Sequence, residues 1–245
     1  MLIHKDPLFS IYFGDNREQI IPADFRFSSD QILQQKQFFN VQKIMHIKDA
    51  VFLHQTHSNQ GVSLQTRQQI ATFTNFSQDG DFLLTNLSGV GIGIVTADCL
   101  PIILCDTFNQ VIGIVHAGWR GSVNGIAAHA VDQMYEVFGT DPKNLKVFFG
   151  PCIKICCYSV GDELLNAVNT FECEVDVVHT SGSTVYFDLP LFNKIQLLEK
   201  GIKKDAFHLN YNSCTLCNQS FCSYRRQQQT LYRQMTVVAL TLPIF

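Results

Sequence analysis

Short apolar runs, several of them rich in β-branched residues, recur along the chain between polar turn segments. Such runs of four to eight residues predict buried β-strands. The runs predicted as strands are Val90–Thr96, Ile102–Cys105, Val111–Val115, Lys146–Phe149 and Met235–Leu242. Pro101 stands directly before the second run and has no N–H to donate, so we expect the chain not to continue there as a regular central strand.

Apolar residues recur at helical spacing between Ser122 and Phe138, which predicts an amphipathic helix. Ser122 is the predicted N-cap of this helix and Gly139 its C-terminal stop. Weaker patterns predict helices over Asp30–Gln42, Asp162–Thr170 and Leu191–Lys200. Strands and helices follow one another without a regular βαβ rhythm. We therefore predict an α+β fold of packed mixed β-sheets flanked by helical layers, in a single domain over residues 1–245.

Composition and charge restrict the class of protein. The chain of 245 residues is 46% hydrophobic and holds 20 Phe, which is enough for a large core. A net charge of −3 gives no electrostatic reason to expect nucleic-acid binding, so small molecules are the expected partners. No run of roughly 18 apolar residues predicts a membrane span. The N-terminal segment lacks the apolar stretch of a secretory signal, so the expected location is cytoplasmic.

A strand, a glycine-containing turn and a predicted helix follow one another from Val111 through His116 to Ser122. Free N–H groups at the start of a helix favour anions, so this order predicts a phosphate or carboxylate site. Arg120, inside the turn, could add a bidentate guanidinium contact. In the alternative interpretation, the glycines only permit a tight turn and Arg120 is solvated.

Four side chains placed at the ends of apolar runs suggest metal chemistry. Cys99 and His116 each follow a predicted strand, and His54 and His57 follow the apolar segment Val51–Leu53. Because residues three apart lie on opposite faces of a strand, we expect only one of this histidine pair to face the site. One thiolate and two imidazoles with an open fourth position form a catalytic zinc arrangement.

Other interpretations of the same residues stay open at this stage. A cysteine and two histidines also bind copper, which would suit an oxidase. A metal-free hydrolase would use Cys99 as the nucleophile and His116 as the base. A fourth protein ligand would instead make the cluster a structural metal site in a binding module.

The remaining cysteines are interpreted as packing thiols. A protein without an export signal keeps its cysteines mostly reduced, and buried thiols behave as small hydrophobes. One Cys-x-x-Cys without a second such pair is a weak zinc-ribbon pattern. The cysteines covered by this interpretation are Cys156, Cys157, Cys214, Cys217 and Cys222.

Six motifs in a fixed order resemble the YfiH-type laccase-domain family, and the resemblance extends from Val51 to Leu242. The family was long labelled multicopper polyphenol oxidase and is regarded as zinc-dependent purine nucleoside phosphorylase. The motifs are His54-Gln55-Thr56-His57, Asp79-Gly80-Asp81-Phe82-Leu83-Leu84-Thr85, Thr96-Ala97-Asp98-Cys99-Leu100-Pro101, His116-Ala117-Gly118-Trp119-Arg120-Gly121, Gly150-Pro151-Cys152-Ile153 and Ser223-Tyr224-Arg225-Arg226.

The resemblance implies a ligand set, an activity and partners. It implies that His57, Cys99 and His116 bind Zn²⁺, with copper as the alternative metal. It implies phosphorolysis of adenosine, inosine, guanosine and methylthioadenosine by inorganic phosphate, together with deamination of adenosine.

Two further roles are expected on chemical grounds. Zinc deaminases need a carboxylate that shuttles protons, and Asp81, or second to it Asp98, is expected to serve. Phosphate needs its charge offset, a task suited to Arg120 and to Arg225 or Arg226.

Overall fold

The computed structural model describes residues 1–171, 176–227 and 231–241. Strands are numbered in chain order. One sheet contains β1 (Leu2–Lys5), β2 (Phe9–Phe13), β3 (Asp49–Phe52), β6 (Val90–Thr96) and β14 (Gln234–Leu240). A second sheet contains β4 (Gly61–Leu64), β5 (Phe82–Thr85), β7 (Leu100–Asp106), β8 (Val111–Ala117), β9 (Leu145–Phe149) and β13 (Phe207–His208). The strand orders are β1-β2-β14-β6-β3 and β13-β9-β7-β8-β5-β4. Both sheets mix parallel and antiparallel pairs.

A small third sheet and the helices complete the described elements. The small sheet has the order β10-β12-β11 and contains β10 (Ser159–Val160), β11 (Val178–Ser181) and β12 (Thr184–Phe187). The α-helices are α1 (Phe39–Met45), α2 (Arg67–Ala71), α3 (Trp119–Val123), α4 (Ile126–Phe138), α5 (Asp162–Val168) and α6 (Leu189–Glu199). In the described ranges, none of them has the length and apolar character needed to cross a bilayer.

Alternate residues of each strand point to opposite sides, so each sheet has an inner and an outer face. The two large sheets pack with their inner faces together. In β8, Ile112 and Ile114 belong to the core between the sheets, whereas Val111 and Val115 pack towards α4 and α6 on the outer side. The outer face of the five-stranded sheet is covered by α1 and the turns before it. The predicted α+β arrangement of packed mixed sheets between helical layers is therefore confirmed.

The predicted strands are present with small changes of length. Val90–Thr96 is strand β6 with the predicted bounds, and β8 and β9 contain the runs beginning at Val111 and Lys146. Strand β14 ends at Leu240, and the predicted last residue, Leu242, lies outside the described residues. The sequence pattern missed β1 and β2, which belong to the same sheet as β14.

The expectation for Pro101 is wrong. Strand β7 begins at Leu100, includes Pro101 and lies between β8 and β9. Proline is accommodated because pairing with β9 begins only at Ile102, so Pro101 faces a partner strand on one side, where it is opposite His116. Its carbonyl oxygen still accepts a hydrogen bond from Gly150 N–H at 3.0 Å.

The helix predicted over Ser122–Phe138 is two helices, α3 and α4. Gly125 adopts φ 73° between them, a left-handed conformation that ends the first helix and starts the second. Ser122 is therefore not an N-cap; it lies inside α3, where its hydroxyl accepts a hydrogen bond from Asn193 at 2.9 Å. Gly139 does end α4 as predicted, at φ 70°.

The other helix predictions differ in where the helices begin and end. Most of Asp30–Gln42 consists of short 3-10 turns that are interrupted at the extended Gln35, and only α1 is α-helical. These turns bury Ile32, Leu33 and Phe38, so tertiary packing overrides the local helical preference. The helix predicted to begin at Asp162 ends at Val168, and the predicted Leu191–Lys200 helix begins earlier, at Leu189.

One buried carboxyl group, that of Glu18, contacts the neighbouring strands β2 and β14 of the five-stranded sheet. Tyr12 donates its hydroxyl proton to Oε1 at 2.7 Å, and the N–H of Met235 donates to Oε2 at 2.7 Å. Burial outweighs these hydrogen bonds and raises the pKa of Glu18 to about 8. The folded chain therefore holds this proton more tightly than the unfolded chain does.

Glu18→Gln is expected to change the pH dependence of stability. In the wild type, the contribution of Glu18 to the free energy of unfolding should fall as pH rises from about 5 to 8. Relative to the wild type, the variant should therefore gain up to about 1.4 kcal/mol per pH unit across this window. Urea unfolding at several pH values measures the difference, with the exposed Glu199→Gln as control. Parallel curves would mean that Glu18 is ionised in the folded protein.

Candidate metal centre and pocket

His57, Cys99 and His116 come together at one end of the packed sheets. His57 lies in the loop after β3, Cys99 precedes β7, and His116 lies near the end of β8. Cys99 Sγ is 3.6 Å from His57 Nε2, and the rings of His57 and His116 have centroids 4.8 Å apart. One ligand atom from each of the three residues lies within 4.8 Å of the others. The structure thus assembles the predicted ligand set from three distant segments.

Two residues at this site have left-handed backbone conformations that non-glycine residues seldom adopt. His57 has φ 62°, and Asp98, directly before Cys99, has φ 84°. Such conformations cost of order 1–3 kcal/mol each and persist only where the surroundings hold them. Both turns are held by buried carboxylates, those of Asp81 and Asp98.

Asp81 directly precedes β5, and its side chain is fully buried. It accepts hydrogen bonds from the backbone N–H groups of Thr56, His57 and Ser58 at 3.2, 3.0 and 2.7 Å. Its Oδ1 also lies 2.7 Å from His116 Nδ1. A carboxylate in this position fixes the ring of the histidine and leaves Nε2 to face a metal.

Asp98 uses its carboxylate to hold the turn before Cys99. It accepts hydrogen bonds from Thr215 Oγ1 at 2.6 Å, Ser223 Oγ at 3.1 Å and the N–H of Arg225 at 2.7 Å. These donors come from the loop before β14, far along the chain. The position of Cys99 therefore depends on the C-terminal part of the structure.

The charges of Cys99, His116 and Asp81 support one another. Burial raises the pKa of Cys99, but the neighbouring His116 and His57 outweigh it and lower the pKa to about 6. Burial lowers the pKa of His116, whereas the charges of Cys99 and Asp81 raise it to about 9. For Asp81, burial is outweighed by His116 and Ser58, and the pKa falls to about 2. The cysteine is thus in the thiolate form that binds metals, whereas His116 must release its proton before it can bind one.

The residues present fit a metal ion. A thiolate with two imidazoles is a ligand set that zinc and copper both accept, and Asp81 supplies the carboxylate partner that ligating histidines usually have. Among the described residues the group has three ligands, which leaves a fourth position for a reactant. As predicted, only one histidine of the pair takes part: His54 lies outside the group and pairs with Asp79 at 2.7 Å.

Gly118 lies against the ligands, and a larger residue there would collide with them. A Cβ at this position would lie 2.6 Å from His57 Cδ2 and 3.2 Å from Cys99 Sγ. The backbone of Gly118, at φ −75° and ψ 163°, suits any residue. The glycine is therefore needed for space and not for its conformational freedom.

Gly118→Ala is expected to weaken metal binding by about 10- to 100-fold, because the added methyl group displaces a ligand. Little stability should be lost, since the backbone conformation is allowed. Competition with a chromophoric chelator measures the affinity, and thermal unfolding measures stability. Gly161→Ala is the matched control, since a Cβ at that helix start has no neighbour within 4 Å. Equal affinities of the two variants would contradict the prediction.

A pocket of about 630 Å³ opens over the three ligands. This volume is in the usual range for a small-molecule site. Its walls are largely apolar or aromatic, and include Phe76, Val95, Trp119, Tyr158, Leu189 and Tyr224. Burial, followed by the charge of Cys99, raises the pKa of Tyr158, so the phenol keeps its proton and can donate a hydrogen bond.

The structure separates the three arginines expected to bind phosphate. Arg120 and Arg225 line the pocket, where Arg120 lies 4.2 Å over the Trp119 ring and contacts Glu163 at 2.7 Å. Arg226 is turned away: its guanidinium donates to the carbonyl oxygens of Thr215, Leu216 and Phe221. These hydrogen bonds stabilise the loop, and they keep the guanidinium of Arg226 away from the pocket wall.

The anion site predicted at a helix beginning with Ser122 needs correction. The helix after the glycine turn is α3, which begins at Trp119 and has only five residues. Arg120 is part of this helix and not of the turn before it. Phosphate binding there would therefore depend on side chains and not on the dipole of a long helix.

The interpretation of the remaining cysteines as packing thiols is confirmed for the buried Cys222 and wrong for Cys156 and Cys217, which are exposed. Cys156, Cys157, Cys214 and Cys217 instead form a second cluster. The Cys-x-x-Cys pattern did not predict this second cluster, because two of its four cysteines come from an adjacent Cys-Cys pair. The role of Asp81 in holding His116 was missed as well, since no local pattern links residues so far apart.

Comparisons with known proteins show what this chain is similar to. The family model described as multi-copper polyphenol oxidoreductase laccase matches residues 28–241. A protein of Clostridium acetobutylicum named purine nucleoside phosphorylase is 29% identical over 96% of this chain and 93% of its own. A protein from an unknown prokaryotic organism, named adenosine deaminase RL5, is 32% identical over 74% of this chain and 71% of its own.

A solved structure shares the fold. The YfiH protein of Bacillus licheniformis has a TM-score of 0.81 and 24% sequence identity to this chain, and the match covers 97% of this chain and 98% of the other. At this identity the likeness concerns the fold alone. It supports the layered arrangement of sheets and helices described above.

Proposed function

Because the chain belongs to the laccase-like family of YfiH proteins, with relatives named purine nucleoside phosphorylase, we propose that it is a metal-dependent purine nucleoside phosphorylase. In this proposal the metal is zinc, and His57, Cys99 and His116 bind it. The substrates are adenosine, inosine, guanosine and methylthioadenosine with inorganic phosphate, and adenosine is also deaminated. We propose that residues 1–245 act as one domain.

The observation that carries the proposal is an incomplete ligand set at the floor of a nucleoside-sized pocket. Within the described part of the chain, three protein ligands leave one position open, and the pocket of about 630 Å³ lies over it. A structural metal site would be closed by a fourth protein ligand and would need no cavity. When bound, zinc would supply positive charge to an oxygen of phosphate or water.

In phosphorolysis, a phosphate oxygen forms a bond to the ribose carbon C1′, and the bond from that carbon to the purine nitrogen breaks. The electron pair of the broken bond goes to the purine, which takes up a proton. Arg120 and Arg225 line the pocket and can offset the phosphate charge. Trp119 and Tyr158 offer aromatic faces for the purine ring. Free base and ribose 1-phosphate are the products, and methylthioadenosine gives methylthioribose 1-phosphate instead.

In deamination, water adds to the purine carbon that carries the amino group, and ammonia leaves. A carboxylate is expected to move the proton, and Asp81 and Asp98 remain the predicted groups. Because the oxygens of Asp81 are taken up by His116 and the 56–58 turn, we propose that Asp81 acts chiefly as a positioning residue. Asp98 in turn holds the Cys99 turn.

A nucleoside screen with and without phosphate tests the proposal. The zinc-loaded protein is incubated with each of the four nucleosides, and the products are separated by chromatography. We expect free base only when phosphate is present, and inosine from adenosine in either case. Free base without phosphate would indicate a hydrolase, and no turnover of any nucleoside would contradict the proposal.

Two other functions predict different results, and each has its own assay. The description of the family suggests copper and phenol oxidation, so copper-loaded protein is assayed with oxygen and a phenol. Oxidation by copper-loaded protein, together with inactive zinc-loaded protein, would favour the oxidase. A metal-free hydrolase using Cys99 and His116 would keep its activity after complete chelation.

A further inference from the structure

A second group of metal-ligating side chains lies outside the pocket. Cys156 and Cys157 come from the turn after β9, and Cys214 and Cys217 come from the loop after β13. Cys217 Sγ is 3.2 Å from Cys157 Sγ and 3.7 Å from Cys156 Sγ. All four sulfur atoms lie within 4.8 Å of one another. With Zn–S bonds of 2.3 Å, the sulfur atoms of a tetrahedral site are about 3.8 Å apart.

The loop that carries Cys214 and Cys217 is a closed turn. A hydrogen bond from the Asn218 N–H to the Cys214 carbonyl oxygen at 2.9 Å closes it. Both cysteines therefore lie on one turn of the chain, and in their thiolate form both can bind the same metal ion.

Exposure gives the same indication. Cys156 and Cys217 are exposed, and Cys157 and Cys214 are partly buried, so the four thiols gather at the surface without forming a core. Exposed thiols that meet without a metal are open to oxidation, so a cluster of four needs a reason to stay reduced. A shared metal ion would protect them from oxidation.

We propose that Cys156, Cys157, Cys214 and Cys217 bind one zinc ion in a closed tetrahedral site. Thiolates favour zinc over the hard cations calcium and magnesium. Four protein ligands fill the coordination sphere, so this site is structural, and the four thiols release their protons to solvent as the metal binds. The site is separate from the three-ligand centre and does not depend on the proposed activity.

The position of the site explains what it stabilises. The two segments that it joins also meet at Asp98: the Ile153 N–H donates to the Asp98 carbonyl oxygen at 2.9 Å, and Thr215 donates to its carboxylate. Between them, Cys152 and Cys214 form a parallel bridge. The zinc ion would therefore fasten the wall of the pocket that carries Cys99. Its loss should loosen that wall.

Metal analysis of purified protein tests the proposal. Protein produced with added zinc and purified without chelators should hold about two zinc ions per chain, one at each site. Cys99→Ala should keep one, Cys217→Ser should keep one, and the double variant should keep none. Cys222→Ala is the matched control, because this buried thiol lies outside the cluster, and it should keep two.

A second measurement does not require a variant in the cluster. Cys99→Ala protein loaded with cobalt should show the intense sulfur-to-cobalt absorption of four thiolates. If Cys217→Ser fails to fold, this spectrum and the wild-type stoichiometry still decide the matter. Wild-type protein with one zinc ion and Cys99→Ala protein with none would overturn the proposal, as would a disulfide within the cluster. If both hold one, the cysteine site stands and the three-ligand centre fails.

Discussion

Cys99→Ala is expected to remove the metal from the three-ligand centre and to abolish nucleoside turnover. The substitution deletes the one thiolate of the three-residue group and leaves two imidazoles, of which His57 is exposed. A bound metal contributes several kcal/mol to stabilising charge in the transition state. Since 1.4 kcal/mol corresponds to a factor of ten, turnover should fall by at least about a hundredfold.

Steady-state kinetics with and without a chelator measure this effect and separate it from the metal-free alternative. Wild-type protein should lose activity on chelation and regain it when zinc is added, whereas Cys99→Ala should respond to neither. Cys105→Ala is the control, since this buried thiol in β7 has no contact with the centre. If chelated wild-type protein keeps its activity, Cys99 acts as a nucleophile and the metal proposal is wrong.

Asp81→Asn is expected to reduce both metal affinity and stability. The carboxylate holds His116 and accepts three backbone N–H groups, and an amide would present donors of its own to some of them. Loss of such a partner weakens metal binding by about 10- to 100-fold. Unsatisfied buried donors should lower the free energy of unfolding by about 1–3 kcal/mol.

Asp79→Asn provides the matched control, because Asp79 also contacts a histidine, His54, at 2.7 Å. That pair is exposed and is not part of the three-residue group. Added zinc separates the two roles considered for Asp81. If Asp81 positions His116, excess zinc should restore much of the activity of Asp81→Asn. If Asp81 moves a proton, activity should stay low at full zinc occupancy. Unchanged affinity and stability would contradict the positioning role.

The local sequence pattern predicted strands and helix ends correctly where local forces determine them. The run Val90–Thr96 is a strand with its predicted bounds because it is apolar throughout and central in its sheet. Gly139 ends α4 as predicted because its left-handed conformation suits glycine. Gly125 was overlooked because its local pattern continues the helix, and only the backbone turn between α3 and α4 separates the two.

Sequence alone determined the class of fold, the family and the three residues that meet at the candidate centre, because apolar periodicity and ordered motifs are properties of the chain itself. Tertiary structure alone decided that Asp81 holds His116, that Arg226 faces away from the pocket, and that four cysteines form a second cluster. Each of these features brings together residues that are far apart in the chain. The separation is 10 residues at the least and more than 60 at the most. Such distances follow from how the sheets pack, and no local pattern encodes them.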